Sequence, residues 1–107
     1  MIEDSATAFL RGLRLRCGDG APAFRIEELA SRSWASAAFC GARHRVVFAL
    51  EGAGAGEAAD AFLDGMEEAE FDLRGHILAD IALIAAERAE DGERVRISLE
   101  ALTVEDL

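Results

Sequence analysis

Residues 34–45, with the sequence WASAAFCGARHR, hold the side chains of this chain that are best suited to chemistry. They include Trp34, the only Trp, together with Cys40 and His44, which stands between Arg43 and Arg45. A thiol near an imidazole is the pairing that nucleophilic catalysis uses. Arg and Trp together are instead typical of the anchors of protein interfaces. The segment therefore suits either a reactive site or a binding surface.

Catalysis by Cys40 finds little support in the surrounding sequence. The residues around it do not carry a cysteine-protease signature, and a free Cys between Phe and Gly is usually a small buried hydrophobe. General acid–base chemistry by His76 with Asp80, or by His44 with Glu100, would need a pocket that sequence periodicity does not reveal. We therefore expect no catalytic residue and lean towards a protein that is not an enzyme.

A metal site is a further alternative, through Cys40, His44 and His76. Zn²⁺ takes three or four ligands, and Cys40 and His44 are four residues apart, so they could supply two of them. His76 and Asp80 are expected on one strand face but about 13 Å apart, too far to ligate the same ion. Hydrogen-bonded structural histidines are the simpler interpretation, and we predict no metal and no cofactor.

Asp80 interrupts an otherwise apolar segment, where a carboxylate must be paired or must face solvent. We expect an ion pair with an Arg, ahead of an exposed position at a sheet edge or a functional carboxylate. The candidate partners are Arg74, Arg43, Arg45 and Arg96.

The net charge of −10 limits the kinds of partner. Residues 1–50 carry seven Arg and five acidic residues, whereas residues 51–107 carry four Arg and sixteen acidic residues. Such a chain is repelled by nucleic acid and by anionic membranes, so we predict neither as a partner. The opposite signs of the two halves could support packing of the halves on each other or head-to-tail contact between subunits. Alternatively, the acidic half could simply form a solvated face.

The length of 107 residues fits one domain, residues 1–107. Two cysteines cannot build a disulfide framework, the N-terminus is acidic, and no apolar run approaches the roughly 20 residues that span a bilayer. Lys is absent from the sequence, so all eleven positive charges are Arg, and this pattern together with abundant Ala, Gly and Glu is typical of a GC-rich bacterial genome. We therefore expect a cytoplasmic bacterial protein with reduced thiols.

Hydrophobic periodicity predicts two helices. The first begins at Asp4 or Ser5, buries Ala8, Phe9 and Leu13, and ends before the break at residues 17–22. The second follows the Gly-rich residues 51–56, which match neither phosphate-loop nor dinucleotide-binding patterns. Its predicted apolar stripe consists of Ala58, Ala59, Phe62, Leu63, Met66 and Ala69.

Strands account for most of the remaining chain. Residues 23–33 are expected to be extended, and residues 44–50 alternate cleanly, with Gly41 before them as a hairpin turn or a bulge. Residues 75–88 and 93–104 are predicted to form a hairpin around an Asp-Gly turn. In its first strand one apolar set is expected to share a face: Ile77, Ala79, Ile81, Leu83 and Ala85.

These elements predict an α+β fold in the order α-β-β-α-β-β, with an antiparallel sheet of about four strands and both helices on one face. The other face of the strand at residues 75–88 is also apolar beyond Asp80, at Ala82, Ile84 and Ala86. A strand that is apolar on both faces needs cover on both sides. We therefore expect a homodimer, formed by sheet packing or by edge pairing.

The leading hypothesis is a small, non-catalytic, homodimeric interaction or accessory module, which could also bind a protein partner. Its binding surface is predicted at Trp34, Arg43, His44, Arg45, His76 and Asp80. The alternatives are a domain that binds or transforms an anionic small molecule with His44, His76, Asp80 and nearby Arg residues, and the metal-binding protein described above. Convergence of those residues in one concave pocket would favour the small-molecule alternative.

Overall fold

The computed structural model describes residues 4–18 and 22–106 and has the predicted α-β-β-α-β-β order. All strand pairs are antiparallel, and the sheet order is β1-β2-β4-β3. The fold class predicted from the sequence is therefore confirmed. The elements are α1 (Ser5–Cys17), β1 (Ala23–Ala35), β2 (Cys40–Glu51), α2 (Ala55–Leu63), a 3-10 helix (Met66–Glu68), β3 (His76–Arg88) and β4 (Arg94–Glu105).

Helix α1 begins where the sequence predicts it. The Asp4 carboxylate accepts a hydrogen bond of 2.8 Å from the backbone N–H of Thr7, which satisfies a free donor of the first turn. At the other end, Arg16 donates to the carbonyl oxygens of Phe62 and Asp64, at 2.9 and 2.7 Å. These bonds satisfy carbonyls at the end of α2 and tie the two helices together.

The hairpin of β1 and β2 turns at residues 36–39, where the backbone N–H of Ser36 donates to the carbonyl of Phe39. Gly41 lies inside β2, in register with Trp34, so the predicted turn or bulge at Gly41 is wrong. Its missing side chain instead leaves room for the Trp34 ring and for the backbone of Thr103. An added Cβ would lie 2.9 Å from Cζ2 of Trp34 and would collide with the Thr103 carbonyl oxygen.

The hairpin of β3 and β4 has the predicted Asp-Gly turn, with Gly92 at φ +73°. The predicted single apolar face of β3 is wrong, because the register shifts between Leu78 and Asp80 and again between Leu83 and Ala85. Each extra residue reverses the alternation of faces. Ile81 and Leu83 consequently lie on the helix side of the sheet, while Ile77 and Ala85 lie on the opposite side.

The second helix is shorter than its apolar stripe predicts. It ends at Leu63, and Gly65, at φ +68°, turns the chain into the 3-10 helix. Met66 is nevertheless buried, because the 3-10 helix returns its side chain to the core.

In residues 4–18 and 22–106, no helix is long and apolar enough to cross a membrane.

The core lies between the two helices and one face of the sheet. Phe48 of β2 is at its centre, stacked on Phe24 and in edge contact with Phe62. We call the other side of the sheet the open face, because no helix of the described chain covers it. Strand pairing places the following residues there: Arg25, Glu28, Ala30, Arg32 and Trp34 in β1; Gly41, Arg43, Arg45, Val47 and Ala49 in β2; Arg94, Arg96, Ser98, Glu100, Leu102 and Val104 in β4; and Ile77, Asp80, Ala82, Ala85 and Glu87 in β3.

The close contacts at Gly41 predict that Gly41→Ala destabilises the protein. We expect a loss of about 1–3 kcal/mol or more in the free energy of unfolding, because β2 or its neighbours must move to admit the methyl group. Gly56→Ala is the matched control, since its added Cβ would meet its nearest atoms at 3.6 and 3.7 Å in a helix. That variant should change stability by no more than about 1 kcal/mol. Urea denaturation measures both, and equal effects would contradict the prediction.

Candidate functional site: a depression on the open face

The open face carries a shallow depression of about 700 Å³ in the middle of the sheet. All four strands contribute to it. Its lining consists of Ala30, Ser31, Arg32, Arg43, His44, Arg45, Asp80, Ala82, Glu100, Ala101 and Leu102. The depression is therefore a charged surface with small apolar side chains between the charges.

Two arginines stand side by side in this depression. Arg32 of β1 is directly opposite Arg43 of β2, and both are exposed. Like charges at directly opposed positions destabilise a strand pair. Among the described residues, neither Arg32 nor Arg43 forms an ion pair with a carboxylate. Arg45, two positions along β2, does so, through a bond of 2.8 Å to Glu100.

Asp80 lies in the same depression, separated from Arg43 by Leu102 of β4. Its side chain is exposed at the outer strand of the sheet, and no ion pair of Asp80 occurs in the described chain. The expected ion pair is therefore wrong: of the proposed partners, Arg45 binds Glu100 and Arg96 binds Glu27. Asp80 avoids the cost of burial by facing solvent.

His44 borders the depression, but its imidazole is only 2% exposed and belongs to the helix side. The ring stacks on Phe9, with 5.5 Å between ring centroids. Its Nδ1 lies 2.7 Å from the hydroxyl of Ser31, and its Nε2 lies 2.9 Å from the hydroxyl of Thr103. His44 therefore holds α1, β1 and β4 together as a hydrogen-bonded structural histidine.

The hydrogen bonds of His44 fit the tautomer that is protonated at Nε2. The Thr103 hydroxyl donates to the carbonyl of Ala42 at 3.4 Å, so its oxygen is left to accept from Nε2–H of His44. Nδ1 then accepts from the Ser31 hydroxyl. Burial lowers the pKa of His44, the electrostatic interaction with His76 lowers it further, and Asp4 partly opposes both. The ring is therefore neutral at pH 7.

The other predicted site residues lie elsewhere. His76 is in register with Glu105 on the helix side, whereas Asp80 is on the open face, so the prediction that they share a face is wrong. The bulge before Asp80 causes this difference. Trp34 is on the open face but beside Gly41, outside the depression. The structure thus brings Arg43, Arg45 and Asp80 together and leaves His76 and Trp34 apart.

Neither thiol is activated. The nearby carboxylate of Glu105 is the main cause that raises the pKa of Cys40, and burial raises the pKa of Cys17 to about 11. Both thiols therefore stay protonated at neutral pH, which disfavours their use as nucleophiles.

In residues 4–18 and 22–106, no three His, Cys, Asp or Glu side chains are grouped so that they could hold a metal ion.

Sequence reasoning missed two features of the open face. The first is Arg32, whose pairing with Arg43 depends on the hairpin register. The second is Glu27, at a register shift in β1, which lies 2.7 Å from both Arg94 and Arg96 and 3.4 Å from Arg25. No local pattern indicates these contacts, because Glu27 and the two arginines of β4 are far apart in the sequence.

Comparison with known proteins gives little further information. No family model and no curated protein matches the chain. A chain in a solved structure titled "Virion of native gene transfer agent (GTA) particle" is similar, with 19% sequence identity and a TM-score of 0.47. The alignment covers 79% of this chain and 69% of that one. Similarity at this level supports no statement about function.

The buried neutral His44 predicts a loss of stability in mild acid. Its pKa in the folded protein is below the unfolded value of 6.5, so the unfolded chain binds the proton more readily. The free energy of unfolding should therefore fall as the pH decreases from 6.5 through the native pKa, and this contribution should then level off. Denaturant titrations between about pH 7.5 and 5 measure it.

His44→Gln removes the titrating group and should remove this part of the slope, whatever its stability at pH 7.5. His76→Gln is the control and should keep most of the slope, because burial is the first cause of the His44 shift. A wild-type slope that survives in His44→Gln would contradict the assignment.

Proposed function

We propose that this protein is a non-catalytic interaction module that acts as a homodimer, joined through the outer edge of β3. The observation that carries this proposal is the apolar character of that edge. β3 pairs only with β4 in the described sheet, so its other side presents unpaired backbone N–H and C=O groups.

The central run of the β3 edge lacks the charged and Pro residues that protect natural edge strands. Its residues 81–86, with the sequence IALIAA, carry no charge and no Pro. Large apolar side chains along the strand are exposed: Ile77 by 52%, Leu83 by 41% and Ile84 by 45%. Natural sheets usually guard an edge with charged side chains or Pro. The two register shifts interrupt this edge but add no charge to the run.

The opposite edge of the sheet differs in this respect. β1 carries Arg25, Glu27, Glu28 and Arg32 along its length, and its only large hydrophobic residue with substantial exposure is Leu29, at 40%. Charges at this spacing disfavour pairing with another strand. The contrast between the two edges favours β3 as the contact.

A second copy of the chain suits the β3 edge. Antiparallel pairing of β3 with β3 about a two-fold axis sets the uncharged run of each protomer opposite its own copy. The contact would satisfy the free backbone groups and cover Ile84. With the axis perpendicular to the sheet, all four helices lie on one side of an eight-stranded sheet, and both open faces lie on the other.

The environment of the candidate catalytic groups supports a non-catalytic role. The Cys40 thiol has a raised pKa, and the His44 ring is buried with both nitrogens hydrogen-bonded. Of the residues proposed for an anionic substrate, Arg43, Arg45 and Asp80 share the depression, whereas His76 does not line it. Both histidines lie on the helix side, so no acid–base pair with a histidine side chain faces this surface in the part of the chain that the structure describes.

The mass of the protein in solution tests the proposal. We expect the wild type to show twice the chain mass of 11.4 kDa by light scattering and native mass spectrometry. Ile84→Glu should weaken dimerisation at least about a hundredfold, because it buries an unpaired carboxylate against its own copy. Leu29→Glu introduces the same charge at the other edge and should leave the dimer intact.

Circular dichroism of both variants verifies that the sheet is retained. A wild-type protein that stays monomeric at high micromolar concentration would overturn the dimer. So would an Ile84→Glu variant that is folded and as dimeric as Leu29→Glu.

A further inference from the structure

We propose that Arg32 and Arg43 form a docking site on the open face for a carboxylate-rich segment of a partner protein. The inference rests on the proposed function, because an interaction module needs a surface for its partner besides the one that joins its two copies. The site is formed within one protomer, so it is tested separately from the dimer.

Most arginines of the open face form ion pairs within the chain. Four of its arginines already contact carboxylates: Arg25 with Glu51 at 2.9 Å, Arg45 with Glu100 at 2.8 Å, and Arg94 and Arg96 with Glu27 at 2.7 Å. Arg32 and Arg43 are the exceptions on this face of the described chain. They face each other across β1 and β2 without a carboxylate between them.

This pair is unexpected in so acidic a chain. The sequence has 21 acidic residues for 11 Arg, so carboxylates are plentiful. Two opposed guanidinium groups repel each other, and the cost of that repulsion is relieved when an anion lies between them. Charge complementarity at these two arginines therefore points to a negatively charged occupant, which lies towards β1 and away from the Asp80 carboxylate beyond Leu102.

The chemistry of the surface selects carboxylates of a protein. Guanidinium groups bind carboxylates with two parallel hydrogen bonds. Ala30, Ala82 and Leu102 line the same depression and offer apolar contact to the backbone and side-chain stems of a bound segment. Phosphate groups of nucleic acid would bind the same guanidinium groups, but a net charge of −10 repels a long, densely charged polyanion more strongly than a short acidic segment.

The second copy in the dimer is not placed to fill this site. The acidic 3-10 helix, with Glu67 and Glu68, follows α2 and packs through Met66 into the core on the helix side. In the edge-paired dimer both open faces point away from that side. Glu67 and Glu68 of the second copy are therefore not expected to reach the site, and we assign the acidic segment to a different protein.

A labelled hexaglutamate peptide is the probe, and its binding is measured by fluorescence anisotropy at low and at moderate salt. Wild-type protein should bind it, more weakly as salt rises. The double variant Arg32→Ser/Arg43→Ser should bind at least about tenfold more weakly. Arg74→Glu changes the net charge by the same two units at an exposed arginine outside the depression, and it should bind as the wild type does.

The proposal is overturned if hexaglutamate does not bind, or if the two variants lose affinity equally. It is also overturned if inorganic phosphate displaces the peptide as effectively, molecule for molecule, as free hexaglutamate does. A change of oligomeric mass in Arg32→Ser/Arg43→Ser without peptide would assign the site to a second copy instead. The monomeric Ile84→Glu variant should still bind the peptide, so failure of the dimer leaves this test intact.

Discussion

The antiparallel pairing of β2 with β4 is the constraint on which the rest of the structure depends. It joins two hairpins that are each local in sequence, by contacts such as that between Gly41 and Val104. The helix side of these two strands supplies the middle of the core, against which Phe9 and Phe62 pack. The same pairing makes β1 and β3 the outer strands. The exposed edges and the open face are therefore direct results of this one contact.

The order of elements and the helix side of β2 and β4 could be predicted from the sequence, because an alternation of period two survives where pairing is regular. β3 could not be predicted in this way. Its two extra residues move Ile77 and Asp80 to the face opposite Ile81, and the sequence of β3 alone does not distinguish a bulge from a regular strand. The role of Gly41 could not be predicted for a related reason: it is set by Trp34 and Thr103, which lie on the two neighbouring strands.

The site was only partly predictable. Arg43, Arg45 and Asp80 meet on one surface because they project from the same side of neighbouring strands. His44 alternates with the two arginines, so its side chain points to the opposite side and serves the core. Arg32 joins the site because the hairpin register pairs it with Arg43. This register depends on the turn at residues 36–39, and a turn predicted at Gly41 would give different pairs. Residue types thus indicated the region, and pairing decided which side chains share it.

Glu27 gives the open face a further property. Its side chain is 17% exposed, and its carboxylate contacts Arg94 and Arg96 of β4, so it reaches across β2 from an outer strand. Three guanidinium groups share one acceptor, so the energetic effect of removing any of them depends on which others remain. Substitutions at Arg25, Arg94 and Arg96 are thermodynamically coupled, so the stability change of a double variant will differ from the sum of the two single changes. The energies of these ion pairs belong to the group of four side chains rather than to any single pair.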